Sequence, residues 1–83
     1  MLNIQDLTKP GQTYGAYKNA IAKLHKARKA ALFEHNELTG RRSRAFGRGR
    51  DEIDRAMAAC LADAARFLEA IADLEALAAK APN

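Results

Sequence analysis

Five arginines fall within eleven residues of this chain, Gly40-Arg41-Arg42-Ser43-Arg44-Ala45-Phe46-Gly47-Arg48-Gly49-Arg50, and no acidic residue interrupts them. Planar guanidinium groups grip phosphates and carboxylates through paired, charge-assisted hydrogen bonds. The glycines let a backbone approach a ligand closely, and Phe46 offers a ring that stacks on a base or enters an apolar notch. The chemistry of Arg41, Arg42, Arg44, Phe46, Arg48 and Arg50 is therefore recognition of an anion, either an acidic protein surface or nucleic-acid phosphates. The plainer reading of the same residues is a solvated turn whose arginines keep a small protein in solution. A second cationic group, Lys18, Lys26 and Lys29 with Phe33, follows along a helical wheel. At about 100° per residue Phe33 lies opposite Leu24, so it faces water or another chain if Leu24 faces inward.

Side chains suited to catalysis are present without the spacing catalysis needs. His25 and His35 are ten residues apart and lack the i, i+4 interval of a helical metal pair, and Glu34 and Glu37 add no regular third ligand. Cys60 has no neighbouring Lys, Arg or His in sequence to favour its thiolate, so it reads as a buried thiol. Tyr14 and Tyr17 read as rim residues of a core. Gly47-Arg48-Gly49-Arg50 lacks the lysine and preceding strand of a phosphate loop. The expectation is a protein without catalytic residues, metal or cofactor. No helix-turn-helix, zinc-ligand or aromatic-sheet signature of a nucleic-acid fold is present either.

The arginine segment also marks an electrical boundary. Residues 1–50 carry eleven Lys/Arg against three Asp/Glu, and residues 51–83 carry three against seven, so a net charge of +4 resolves into +8 followed by −4. On both sides of it the pattern is helical. Thr13 is placed to cap a first helix over residues 13–39, in which Tyr14, Tyr17, Ile21, Leu24, Ala31 and Leu38 recur at steps of three and four or their multiples. Gly40 is expected as the left-handed residue that ends it, with Arg41 and Arg42 at the negative end of the dipole. Asp51 is expected to cap a second helix over residues 51–80, with Glu52 and Asp54 in its first turn. There Ile53, Met57, Cys60, Ala64, Phe67, Ile71, Leu74 and Ala78 alternate steps of four and three, a heptad seam. Leu61, Leu68 and Leu77 widen it toward the broader face of a bundle. Lys80 suits the helix end, and Pro82 stops it.

These elements predict an all-α antiparallel two-helix hairpin in residues 13–83, joined by an arginine-rich loop over 40–50 and preceded by a short N-terminal arm, residues 1–12, anchored by Ile4 and Leu7. Packed together, Lys18, Lys23, Lys26, Arg28 and Lys29 of the first helix are expected to attract Asp63, Glu69, Asp73 and Glu75 of the second. β-structure is disfavoured, because few residues are β-branched and no run alternates with period two.

Eighty-three residues make one small domain, and nineteen of the residues counted as hydrophobic are alanines, so a lone chain has a thin core. One cysteine forms no intrachain disulfide. Small scaffolds of this kind are completed by a second subunit or a partner. Self-association through Ile53, Met57, Phe67, Ile71 and Leu74, or docking on a larger complex, is therefore expected. The first residues have neither the basic start nor the apolar run of a secretory leader, and no stretch is apolar enough to span a membrane. The expected setting is the cytoplasm or a phage particle. The function these residues imply is a small protein-interaction module of bacterial or phage type, an inhibitor or adaptor that docks its cationic loop and basic helix on a larger assembly. The alternatives are sequence-nonspecific nucleic-acid binding through the same arginines and a structural subunit of a phage particle.

Overall fold

A computed structural model describes residues 3–81; Pro82, expected to stop the second helix, lies outside them. Three helices follow in order: α1 (Ile4–Leu7), α2 (Tyr14–Arg42) and α3 (Gly47–Lys80), with no strand among the described residues. The start of α2 packs against the end of α3, so the two long helices run antiparallel as a hairpin. The result is a rod of 54 × 19 × 16 Å.

The chain enters α2 as its sequence dictates. Gly11 takes φ 86°, a conformation that costs glycine little, and turns the arm back toward the hairpin. Thr13 then caps the helix, its Oγ1 accepting the Ala16 N–H at 3.2 Å.

The exit differs from expectation. Gly40 does not end α2, which runs on through Arg41 and Arg42. Glycine inside a helix costs about 1 kcal/mol relative to alanine. Local bonds oppose that cost: Ser43 Oγ donates to the Gly40 carbonyl at 2.7 Å, and the Arg44 and Ala45 N–H groups donate to the carbonyls of Arg41 and Arg42. The left-handed residue of the connection is Gly47, at φ 56°. α3 starts there, so Asp51 sits inside the helix rather than capping it, and Phe46 occupies the cap position without a side-chain bond. The connection is thus the four residues 43–46, not an eleven-residue loop.

The core gathers at the open end of the hairpin. Tyr17, Ala20, Ile21 and Leu24 of α2 meet Ala70, Ile71, Leu74 and Ala78 of α3, and Leu24 and Leu74 are fully enclosed. Burying each leucine stabilises the fold by about 1.5–3 kcal/mol. Ile4 and Leu7 of the arm pack on this cluster, with Phe67 and Leu77 at its margins. The Tyr17 hydroxyl secures the arm, donating to the Lys9 carbonyl at 3.2 Å and accepting the Gln12 N–H at 3.1 Å. The Gln12 side chain donates to the carbonyls of Leu7 and Lys9.

Toward the closed end the packing thins. Leu38, Cys60 and Ala64 are buried, but the inward stretch of α2 there includes half-buried Arg28, Ala31 and His35. The heptad seam of α3 accordingly divides. Ile71 and Leu74 are buried within the chain's own core, which corrects their assignment to a surface for a second subunit, while Ile53, Met57 and Phe67 are half-buried. Leu61 and Leu68 lie outside the intrachain interface, each 50% exposed. The expected attraction between the lysines of α2 and the acidic residues of α3 forms no ion pair among the described residues. The ion pairs found there are Arg42–Asp54 and Arg66–Asp63. Charges on opposite rims of a helix pair, held by long flexible stems, remain hydrated unless geometry brings them within reach.

Candidate functional site

The closed end of the hairpin holds all six residues of the arginine segment singled out above, on two helix ends and a tight turn. Arg41 and Arg42 are the last residues of α2, Arg44 and Phe46 lie in the connection, and Arg48 and Arg50 are in the first turn of α3. Arg41, Arg44, Arg48 and Arg50 are exposed, and Phe46 is 88% exposed. No ion pair engages these four arginines among the described residues.

Arg42 behaves differently. Its Nε donates to Asp54 Oδ1, and its Nη2 lies 3.5 Å from Oδ2, a two-point contact that ties the end of α2 to the second turn of α3. The hydrogen bond from Arg42 lowers the Asp54 pKa, assisted by the charges of Arg42 and Arg50 and opposed by partial desolvation. Arg42 thus belongs to the scaffold of the tip.

The placement of charge at the tip runs partly against helix stability. Arg41 and Arg42 sit favourably at the negative end of the α2 dipole. Arg48 and Arg50 sit at the positive end of α3, where a cation costs about 0.3–1 kcal/mol. The exposed N–H groups of that first turn and the two guanidinium groups add their fields, which concentrates positive potential beside Phe46.

The second cationic group also lies on the surface. Lys26 and Lys29 are exposed, and with His25, Arg28 and Leu32 they line an open depression of about 400 Å³. Phe33 is 67% exposed, as its position opposite Leu24 requires. Phe33 shares a smaller depression, about 210 Å³, with Glu34, Glu37, Leu38 and Arg41. Arg41 therefore links the Phe33 patch to the tip, a connection hidden in the sequence because an eleven-residue loop was expected to begin at Gly40. The Lys18 ammonium lies 5.7 Å from the centre of the Tyr14 ring, a cation–π contact at the opposite end of α2.

Among the described residues no three His, Cys, Asp or Glu side chains converge as a metal ion would require. Burial pushes the Cys60 thiol pKa up, with Glu34 and Asp63 adding to the shift. No helix among the described residues is long and apolar enough to cross a membrane. Comparison with protein-family models, with curated proteins and with solved structures finds no match to this chain.

Proposed function

We propose that this protein is a small non-enzymatic interaction module of bacterial or phage type, which docks the closed end of its hairpin on an acidic surface of a protein partner. The observation that carries the reading is Phe46, 88% exposed in a tight turn with exposed arginines before and after it. An aromatic ring held in water has no role in the chain's own core. Aromatic and arginine side chains together are the usual energetic anchors of protein interfaces, the ring filling a pocket while the guanidinium groups pair with carboxylates around it. Holding that anchor on two helix ends, joined by four residues and braced by Arg42–Asp54, limits the entropy lost on binding. Lys26, Lys29 and Phe33 extend the same surface along α2.

Nucleic-acid binding, the alternative use of these arginines, calls for cations that track a backbone over several phosphates. Here the exposed arginines of the segment crowd into one end of a rod 19 Å wide. Fluorescence anisotropy with a labelled DNA duplex, across a range of salt, tests the choice. The expected result is weak binding that disappears near physiological salt and is unaffected by Phe46→Ala. Tight duplex binding at that salt, weakened by Phe46→Ala, would favour the nucleic-acid reading.

A further inference from the structure

α3 carries a second heptad pattern that its packing against α2 leaves unused. Ala58, Leu61, Ala65, Leu68 and Ala72 follow steps of three and four, and all five are exposed. On a helical wheel this stripe centres about 160° from Leu74, so it lies on the back of α3, away from α2. The arm covers a different side, where Ile4 and Thr8 share a depression with Arg66, Glu69, Ala70 and Asp73. A stripe with two leucines 50% exposed and alanines between them has the pattern of a helix-packing face without a helix on it.

We infer that the occupant of this face is the same face of a second copy, packed antiparallel about a two-fold axis. The charges single out this partner. Arg55 and Glu69 are exposed, lie on one edge of the stripe and are separated by fourteen residues, two heptads. A two-fold axis crossing α3 between residues 62 and 63 sets Arg55 of each copy opposite Glu69 of the other, so both ion pairs form at once. The same axis sets Leu61 opposite Ala65 and Ala58 opposite Leu68, and their reciprocals, so each layer joins one large side chain to one small one. Alanine in every layer lets the helix axes approach at the short end of the usual 8–10 Å range.

Neighbouring registers are poorer. In the favoured register Asp54 faces Ala72 at the end of the stripe; sliding one copy by a heptad in one direction moves Asp54 against Ala65, toward the middle of the apolar stripe. Sliding it in the other direction loses the Arg55–Glu69 pairs. In the favoured register the like charges Asp51 and Glu75 meet only at the outer rim, where water and salt screen them.

The dimer does not depend on what the arginine tip binds. Taken with the proposed docking role, it adds a consequence that rests on that reading. Antiparallel pairing points the two tips in opposite directions, about 45 Å apart at 1.5 Å per residue, so one dimer engages two partner sites.

The test is sedimentation equilibrium of the full chain at tens of micromolar, with circular dichroism as the check on folding. Wild type is expected at twice its 9.1 kDa mass, and the helical Leu61→Glu/Leu68→Glu variant at 9.1 kDa. Arg55→Glu is expected to weaken self-association by about tenfold, since it turns two attractions into repulsions. Adding Glu69→Arg to Arg55→Glu is expected to restore it. A monomeric wild type overturns the inference, as does a dimer that survives both leucine replacements. Failure of the double charge reversal to rescue the dimer overturns the antiparallel register, and this variant remains informative if the leucine variant unfolds.

Discussion

Arg42, the last residue of α2, and Asp54, in the second turn of α3, are joined at two points across the connection of the hairpin. The carboxylate has a lower pKa in the folded chain than its ordinary value near 3.8. A group shifted this way contributes stability above its unfolded pKa, and the contribution fades as pH falls through the folded value. Asp54→Asn is therefore expected to melt below wild type at pH 7. The gap in melting temperature should narrow as pH falls below the ordinary carboxylate range and close once pH lies below the lowered folded value. A gap that is constant with pH would mean that the pair contributes through packing alone.

Tyr17→Phe is expected to loosen the arm without disturbing the hairpin. The hydroxyl it removes bonds to the Gln12 N–H and the Lys9 carbonyl, while its buried ring is retained. The loss should be about 0.5–1.5 kcal/mol for each bond. Amide exchange should quicken at Gln12 and stay slow at Leu24 and Leu74.

Truncations along α3 should report where the core lies. Leu74→Ala is expected to cost about 2–5 kcal/mol, because Leu74 is fully enclosed against α2. Phe67→Ala should cost less than the ~3–5 kcal/mol of a fully buried ring, because Phe67 lies at the margin of the cluster. Chemical denaturation of the two variants at one protein concentration checks the order. A larger loss for Phe67→Ala would shift the centre of the core toward the closed end.

Cys60 should behave as an inert part of the interior. It is 7% exposed, and burial raises its pKa, so little thiolate is available at neutral pH. Alkylation of the folded chain at pH 7.5 is expected to be roughly tenfold or more slower than in denaturant. Cys60→Ala should leave partner binding unchanged. Fast modification of the native thiol would contradict this placement.

Much of the hairpin was legible because its open end obeys simple rules. Thr13 had the cap position, and Tyr17, Ile21, Leu24, Ile71, Leu74 and Ala78 carried the helical period that packing then used. The connection was misread because local glycine preference was weighed without tertiary contacts. Gly40 suits a helix end, yet the Ser43 bond and the Arg42–Asp54 pair hold the helix through it, and Gly47 supplies the turn. Asp54 was read as a first-turn acid rather than as a partner for Arg42, twelve residues earlier, because sequence does not show which side chains meet across a turn. Leu61 and Leu68 were grouped with the main seam since both stripes share one heptad repeat; only the position of α2 separates them. At the tip, exposure of Arg41, Arg44, Arg48 and Arg50 followed from residue type, but the exposure of Phe46 and the concentration of all five at one end required the short connection.

The proposed docking role is tested most directly by comparing proteins captured from nuclease-treated lysate of the source cells by three tagged forms: wild type, Phe46→Ala, and Arg41→Ser/Arg44→Ser/Arg48→Ser/Arg50→Ser. Arg42 is left in place so that the hairpin stays braced, and surface replacements of this kind rarely change stability by more than ~0.5 kcal/mol each. The account predicts a protein with an acidic surface that wild type retains at physiological salt and that both variants lose while remaining helical. Equal capture by all three forms, or capture by wild type from untreated lysate that is lost from the nuclease-treated one, would contradict it.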